Sequence, residues 1–166
     1  LKKHVKKEIK LLDEIPLFKN CNYRELVLLK SCVFIEEYEE NQNIIKEGSE
    51  GDKMYIILSG KVTVSKEDKY LGILEEGDHF GEMALVDREL RSATINSETK
   101  ASLMVLSREH FIKIMKEEPI MGIKLLWNFV IVLSRRLRNA NRDLANLRRE
   151  VDTGVKNSDE INKLFE

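Results

Sequence analysis

The chain has 166 residues, 42% hydrophobic and 34% charged, with 28 Lys plus Arg against 29 Asp plus Glu. That length holds one domain of ordinary size, able to bury a core without metal or disulfide staples, so a single module is expected to carry the function. A formal net charge of −1 excludes a global pull toward nucleic acid or anionic lipid, and any anion site must be local.

Leu1 begins a Lys-rich stretch without the apolar core of a signal peptide, so no leader is expected, and the chain is compatible with being part of a longer polypeptide. Residues 5–32 read as two helices separated around Pro16, apolar at Val5, Ile9 and Leu12, then at Leu26, Leu29 and Val33. Asn22, followed three residues later by Glu25, has the form of a capping box at the start of the second. Cys21 and Cys32 show neither metal nor redox spacing, which fits a reducing cytosol and a cytoplasmic protein, with Cys32 a buried apolar side chain. Short β-branched and apolar runs then predict strands at 33–35, 43–45, 54–58, 61–64, 70–74, 93–95 and 103–106. Six glycines, Gly48, Gly51, Gly60, Gly72, Gly77 and Gly81, punctuate this stretch, as the turns of a closed barrel or jelly roll require.

Ser107 is a credible N-cap for a helix through Phe111, Ile114 and Met115, which Pro119 should stop or bend. From Ile120 to Val151 there is no proline, and a long helix of ~45 Å is expected. Its most apolar run, 125–133, is broken by Asn128 and falls short of the ~20 residues that cross a membrane, so no membrane insertion is expected. Leu126, Val130, Leu133, Leu137, Ala140, Leu144, Leu147 and Val151 alternate spacings of four and three, the seam of a two-stranded coiled coil and hence of a homodimer. A second stripe, Ile123, Trp127 and Ile131, suits docking on the chain's own barrel. The sequence 152–154, Asp-Thr-Gly, is expected to end the helix and leave a polar tail. The predicted division is thus 1–32 N-terminal helices, 33–106 barrel, 107–151 C-terminal helices and 152–166 tail.

The informative segment runs from Phe80 to Thr94. Gly81 lets the backbone approach a ligand closely, and the next residues suit a short helix whose first amides, on Glu82, Met83 and Ala84, would face an anion. Arg91, placed on the following strand, offers a planar fork of donors for two phosphate oxygens, and Ser92 adds a hydroxyl. Glu82 is an acceptor-only group beside them, so a ligand with both a phosphodiester and a neighbouring hydroxyl satisfies the pair better than inorganic phosphate.

Phe80-Gly81-Glu82-Met83-Ala84 with Arg91-Ser92-Ala93 resembles the phosphate-binding cassette of the cyclic-nucleotide-binding domain family. Gly48, Gly51-Asp52, the run from Tyr55 to Gly60 and Gly77-Asp78 stand where that family keeps its barrel turns, so the resemblance covers residues 15 to 150. It implies a mainly β fold with flanking helices: an eight-stranded jelly-roll β-barrel with a short cassette helix and a long C-terminal helix. It also implies that Glu82 takes the ribose 2′-hydroxyl, while Arg91, Ser92 and the cassette amides, with Ala93 beside them, take the cyclic phosphate of cAMP or cGMP. The purine would lie against Val64 and Leu71. Within the family the long helix is most similar to the dimer helix of bacterial catabolite activator proteins, whose base-contacting stretch corresponds to Arg136, Ala140 and Asn141 here. Ala140 replaces the family's threonine, which makes Asn141 the better base contact, and cAMP is preferred over cGMP because Asn141 can accept from an adenine amino group and Ser92 is not the guanine-associated threonine.

The implied function is a non-catalytic sensor without cofactor, signalling through the C-terminal helix. Fifteen residues after Val151 are too few for a winged helix-turn-helix, so no DNA binding by this chain is expected. A degenerate barrel serving another ligand or a dimer scaffold is the alternative. A cupin-type metalloenzyme fits less well, because His4, His79 and His110 are scattered, and no metal site is expected.

Overall fold

The computed structural model describes residues 9–162 apart from residue 11, with side chains described as far as residue 149 except at residues 11 and 147. His4 and Val5 therefore lie outside the described residues, as do the side chains of Leu147 and Val151 at the end of the expected seam. The chain divides into two compact units, Leu1–Leu126 and Trp127–Glu166.

In the first unit, residues 9–14 carry the described part of a helix, α1, followed by a 3-10 turn at Pro16–Phe18. Pro16 takes a first-turn position, where a missing N–H is harmless. Helix α2 (Tyr23–Cys32) starts at the expected capping box: Asn22 Oδ1 accepts the Glu25 amide at 3.0 Å, and Glu25 Oε2 accepts the Asn22 amide at 2.6 Å. The strands are β1 (Val33–Tyr38), β2 (Asn43–Ile45), β3 (Lys53–Ser59), β4 (Val62–Lys66), β5 (Lys69–Leu74), β6 (His79–Phe80), β7 (Thr94–Ser97) and β8 (Ala101–Ser107). Helix α3 (Met83–Val86) sits between β6 and β7, and α4 (Arg108–Glu117) and α5 (Pro119–Asn162) follow β8.

The strands pair antiparallel in two four-stranded sheets, in the orders β1-β8-β3-β6 and β2-β7-β4-β5. This is the expected eight-stranded jelly roll with one correction, that the barrel is not closed. β2 and β6, of three and two residues, end their sheets instead of bridging them, so the two sheets face each other as a sandwich. Alternation along the strands sends Tyr55, Ile57, Ala101, Leu103 and Val105 into one cluster with Ile45, Val62, Phe80 and Ile95. The other faces of β3 and β8, with Met54, Ile56, Met104 and Leu106, are buried too, as central strands covered on both sides require. Helix α3 lies against β3 and α4. Each such large apolar side chain contributes about 1.5–3 kcal/mol by leaving water.

Ser107 caps α4 as expected, its Oγ accepting the His110 amide at 3.3 Å, and Pro119 begins α5 at the first helical position after α4 ends. Two expectations about α5 are corrected. The helix runs on through 152–154 to Asn162; one glycine costs only about 1 kcal/mol in a helix and no proline follows, so nothing there compels a stop. Ile123, Trp127 and Ile131, expected as a buried stripe, are exposed; within the first unit the buried positions of α5 are Met121 and Leu125. Ile123 lies two residues from each of these, about 160–200° round the helix, on the opposite face. Among the described residues no helix is long and apolar enough to cross a membrane, and no group of three or more His, Cys, Asp and Glu could hold a metal ion.

Candidate functional site

Phe80 ends β6, anchored by pairing with Tyr55 and by stacking of the two rings at 5.1 Å. Gly81 follows at φ +73, a left-handed conformation that favours glycine, and a Cβ there would lie 2.7 Å from Arg91 Nη1 and 3.0 Å from the Lys53 carbonyl. The turn leads through Glu82 into α3, the single cassette helix expected after it. Of the three amides assigned to an anion, that of Ala84 donates instead to the Gly81 carbonyl at 3.2 Å, closing a turn from Gly81 into the start of α3.

Arg91, Ser92 and Ala93 lie in the loop before β7, which begins at Thr94, so neither Arg91 nor Ala93 is a strand residue as expected. Arg91 is nevertheless fixed at both ends. Its amide donates to the Ser49 carbonyl at 2.9 Å, and its carbonyl accepts the Gly48 amide at 2.8 Å. Its side chain turns inward: Nη1 donates to the Gly81 carbonyl at 3.2 Å and Nη2 to the Lys53 carbonyl at 2.7 Å. The guanidinium is partly desolvated, and burial pulls its pKa down against the negative potential of Tyr55, Asp52 and Glu82. It stays charged all the same, as arginine does in proteins.

Glu82 is 5% exposed, and its charge acts on the Arg91 guanidinium, after those of Tyr55 and Asp52. Within α3 Ala84 and Leu85 are buried, whereas Met83 and Val86, like Leu90 after it, are exposed. A cleft of about 290 Å³ opens beside Arg91, lined by Asn43, Ser49, Gly51, Asp52, Lys53 and Tyr55 among others; Glu82 does not line it. Val64 packs against the core cluster from β4, while Leu71 on β5 is 61% exposed. Ser92 is exposed at the loop surface. Arg136 and Asn141 are exposed residues of α5 and belong to the second unit.

Three contributors escape a reading by residue type. Gly51 has its role in what it lacks: a Cβ there would overlap the Arg91 guanidinium. Lys53 contributes a backbone carbonyl, which any residue carries. Arg108, the first residue of α4, donates from Nε to the Ala84 carbonyl at 2.7 Å and from its amide to the Asp52 carbonyl at 2.6 Å. Only a rule joining the start of α4 to the cassette could have found it, and spacing supplies none.

Residues 35–118 match the sequence model described as cyclic nucleotide-binding domain. The chain is 33% identical over 98 residues to a cGMP-dependent protein kinase of Eimeria tenella, which covers 59% of this chain and 10% of the kinase. It therefore spans a tenth of that relative's length. Among solved structures it is similar to a cyclic nucleotide-binding domain from Methylobacillus flagellatus KT, at a TM-score of 0.72 and 25% identity over 82% of this chain and 80% of that one. It is also similar to the catabolite activator protein of Thermus thermophilus, at a TM-score of 0.70 and 30% identity over 80% of this chain and 62% of that one.

Proposed function

The chain belongs to the cyclic nucleotide-binding domain family, and from that membership we propose that it is a non-catalytic regulatory module that binds a cyclic nucleotide between Glu82 and Arg91 and signals through α5. The observation that carries the reading is the half-buried Arg91 fork, held between the Gly81 and Lys53 carbonyls with the buried Glu82 carboxylate close by.

In this reading the phosphodiester takes over the Arg91 donors. Exchange of two neutral carbonyl acceptors for phosphate oxygens is favourable, because hydrogen bonds between ionised partners are roughly twice as strong. Much of the desolvation of the guanidinium is already complete before binding, which leaves less to be lost on association. Glu82 accepts from the ribose 2′-hydroxyl, Met83 and the neighbouring backbone with Ser92 and Ala93 frame the phosphate, and Ala84 serves as the buried foot of the cassette. Val64 lines the base side, with Leu71 closing over the purine from its exposed position; Asn141, with Arg136, reads the base, and cAMP is preferred over cGMP. The seam from Leu126 to Leu147 pairs two copies of the chain, and occupancy alters the helix arrangement by the ~1–3 kcal/mol typical of such couplings.

Titration calorimetry with cAMP and cGMP tests this. The wild type is expected to bind cAMP more tightly. Arg91→Ala is expected to lose ~2–5 kcal/mol of binding energy while remaining folded, and Glu82→Gln is expected to weaken binding less. Undiminished affinity in Arg91→Ala rejects the site, a tighter cGMP isotherm reverses the preference, and no binding by the wild type leaves a scaffold as the function.

A further inference from the structure

We propose that Arg108 is a positioning residue of the nucleotide site, the second of two arginines that tie the cassette to the start of β3. The inference rests on the cyclic-nucleotide reading of the Glu82–Arg91 site. Arg91 joins the two segments through the Gly81 and Lys53 carbonyls. Arg108 joins the same two segments one step further along, its Nε–H on the Ala84 carbonyl at 2.7 Å and its amide on the Asp52 carbonyl at 2.6 Å.

The two ties differ in what ligand binding does to them. When the Arg91 donors turn to a phosphate, the Gly81 and Lys53 carbonyls lose their partner, and the first of the ties is given up. The Arg108 tie ends on the Ala84 and Asp52 carbonyls, neither of which is assigned to the ligand, and is kept. It then holds α3 at the distance from β3 at which the cassette can close on a phosphate, a geometry whose loss by a fraction of an ångström is felt in affinity.

A second observation points the same way. Arg108 Nη2 is buried and, among the described residues, has no hydrogen-bond partner. A buried donor on a charged group is strongly driven to find an acceptor. The neighbouring Nε of the same guanidinium already bonds the cassette backbone at Ala84, so Nη2 is a second donor on the group that makes the tie, available to the cassette once a ligand is bound. Only a flat guanidinium can offer Nε and Nη2 together; lysine, with one charged head, cannot.

The test separates positioning from folding by kinetics. Stopped-flow binding of a fluorescent cAMP analogue is measured for the wild type, Arg108→Lys and Arg108→Gln, with circular dichroism to establish the fold. Loosening the cassette is expected to raise koff about tenfold in both variants with kon little changed. Equal koff in all three, with the loss confined to melting temperature, overturns the proposal. Should neither variant fold, the wild type decides: the Arg108 Nε–H resonance in nitrogen-15 spectra is expected to be protected and to shift on addition of cAMP, and an unshifted resonance overturns the proposal equally. Arg91→Ala run alongside keeps the two readings apart. Lost binding there with unaffected Arg108 variants rejects Arg108 alone, whereas a wild type that binds neither cAMP nor cGMP removes the site and this inference together.

Discussion

Two glycines determine where the Arg91 guanidinium can lie. Gly81 has the positive φ that lets the chain turn out of β6, and Gly51 leaves the volume that the guanidinium occupies. Gly51 is not among the positive-φ glycines, so alanine is admissible to its backbone, and the group in its way is the end of a flexible side chain. Gly51→Ala is therefore expected to stay within about 0.5 kcal/mol of wild-type stability while weakening cyclic-nucleotide binding about ten- to hundredfold through misplacement of the fork. Parallel denaturation and calorimetry check both halves, and unchanged affinity would show that Arg91 binds from another rotamer. At this scale the turn at Gly81 was legible because glycine is the residue that favours a positive φ. The Lys53 carbonyl and the Arg108 tie were not, because a backbone acceptor has no residue signature and the start of α4 reaches the cassette only through the fold.

Among the elements, α2 and α5 are joined by a single carboxylate. Glu25 accepts the Asn22 amide to complete the capping box, and it accepts Lys124 Nζ at 2.8 and 2.7 Å through its two oxygens. Burial would raise its pKa, but the hydrogen bonds from Lys124 and the Asn22 amide, with the ammonium charge, outweigh this and hold it below the ordinary value of 4.5. A carboxyl lowered on folding stabilises the native state above its unfolded pKa, and that stability is lost as pH falls through the folded one. Urea denaturation from about pH 7 to about pH 3 is expected to show a steeper loss for the wild type than for Glu25→Gln, and equal slopes would exclude the pair as the source. Capping boxes and β-branched runs were legible because their causes are local. β6 was not, because two residues cannot display alternation and its pairing to Tyr55 and Ile56 is what makes it a strand.

At the scale of the molecule, the heptad positions Leu126, Val130, Leu133, Leu137 and Leu144 are all exposed on the single chain, Leu137 to 62%. In the proposed dimer this stripe is the buried seam. Sedimentation velocity at tens of micromolar is expected to find the wild type dimeric and Leu133→Lys with Leu137→Lys monomeric, since a charge at a seam position has no partner once desolvated. A monomeric wild type would assign the stripe to some other use. The same measurement with cAMP added reads whether occupancy changes the pairing.

The sequence by itself determined the strand-rich fold and the caps at Asn22 and Ser107, because each follows from residue type and spacing within a short window. Only the tertiary structure decided that the sheets stay open at β2 and β6, that α5 turns Met121 and Leu125 inward, and that Arg91 and Arg108 grip the same two segments of backbone. Those outcomes depend on groups far apart in the chain competing for the same volume and the same carbonyls, and no local pattern encodes which of them prevails.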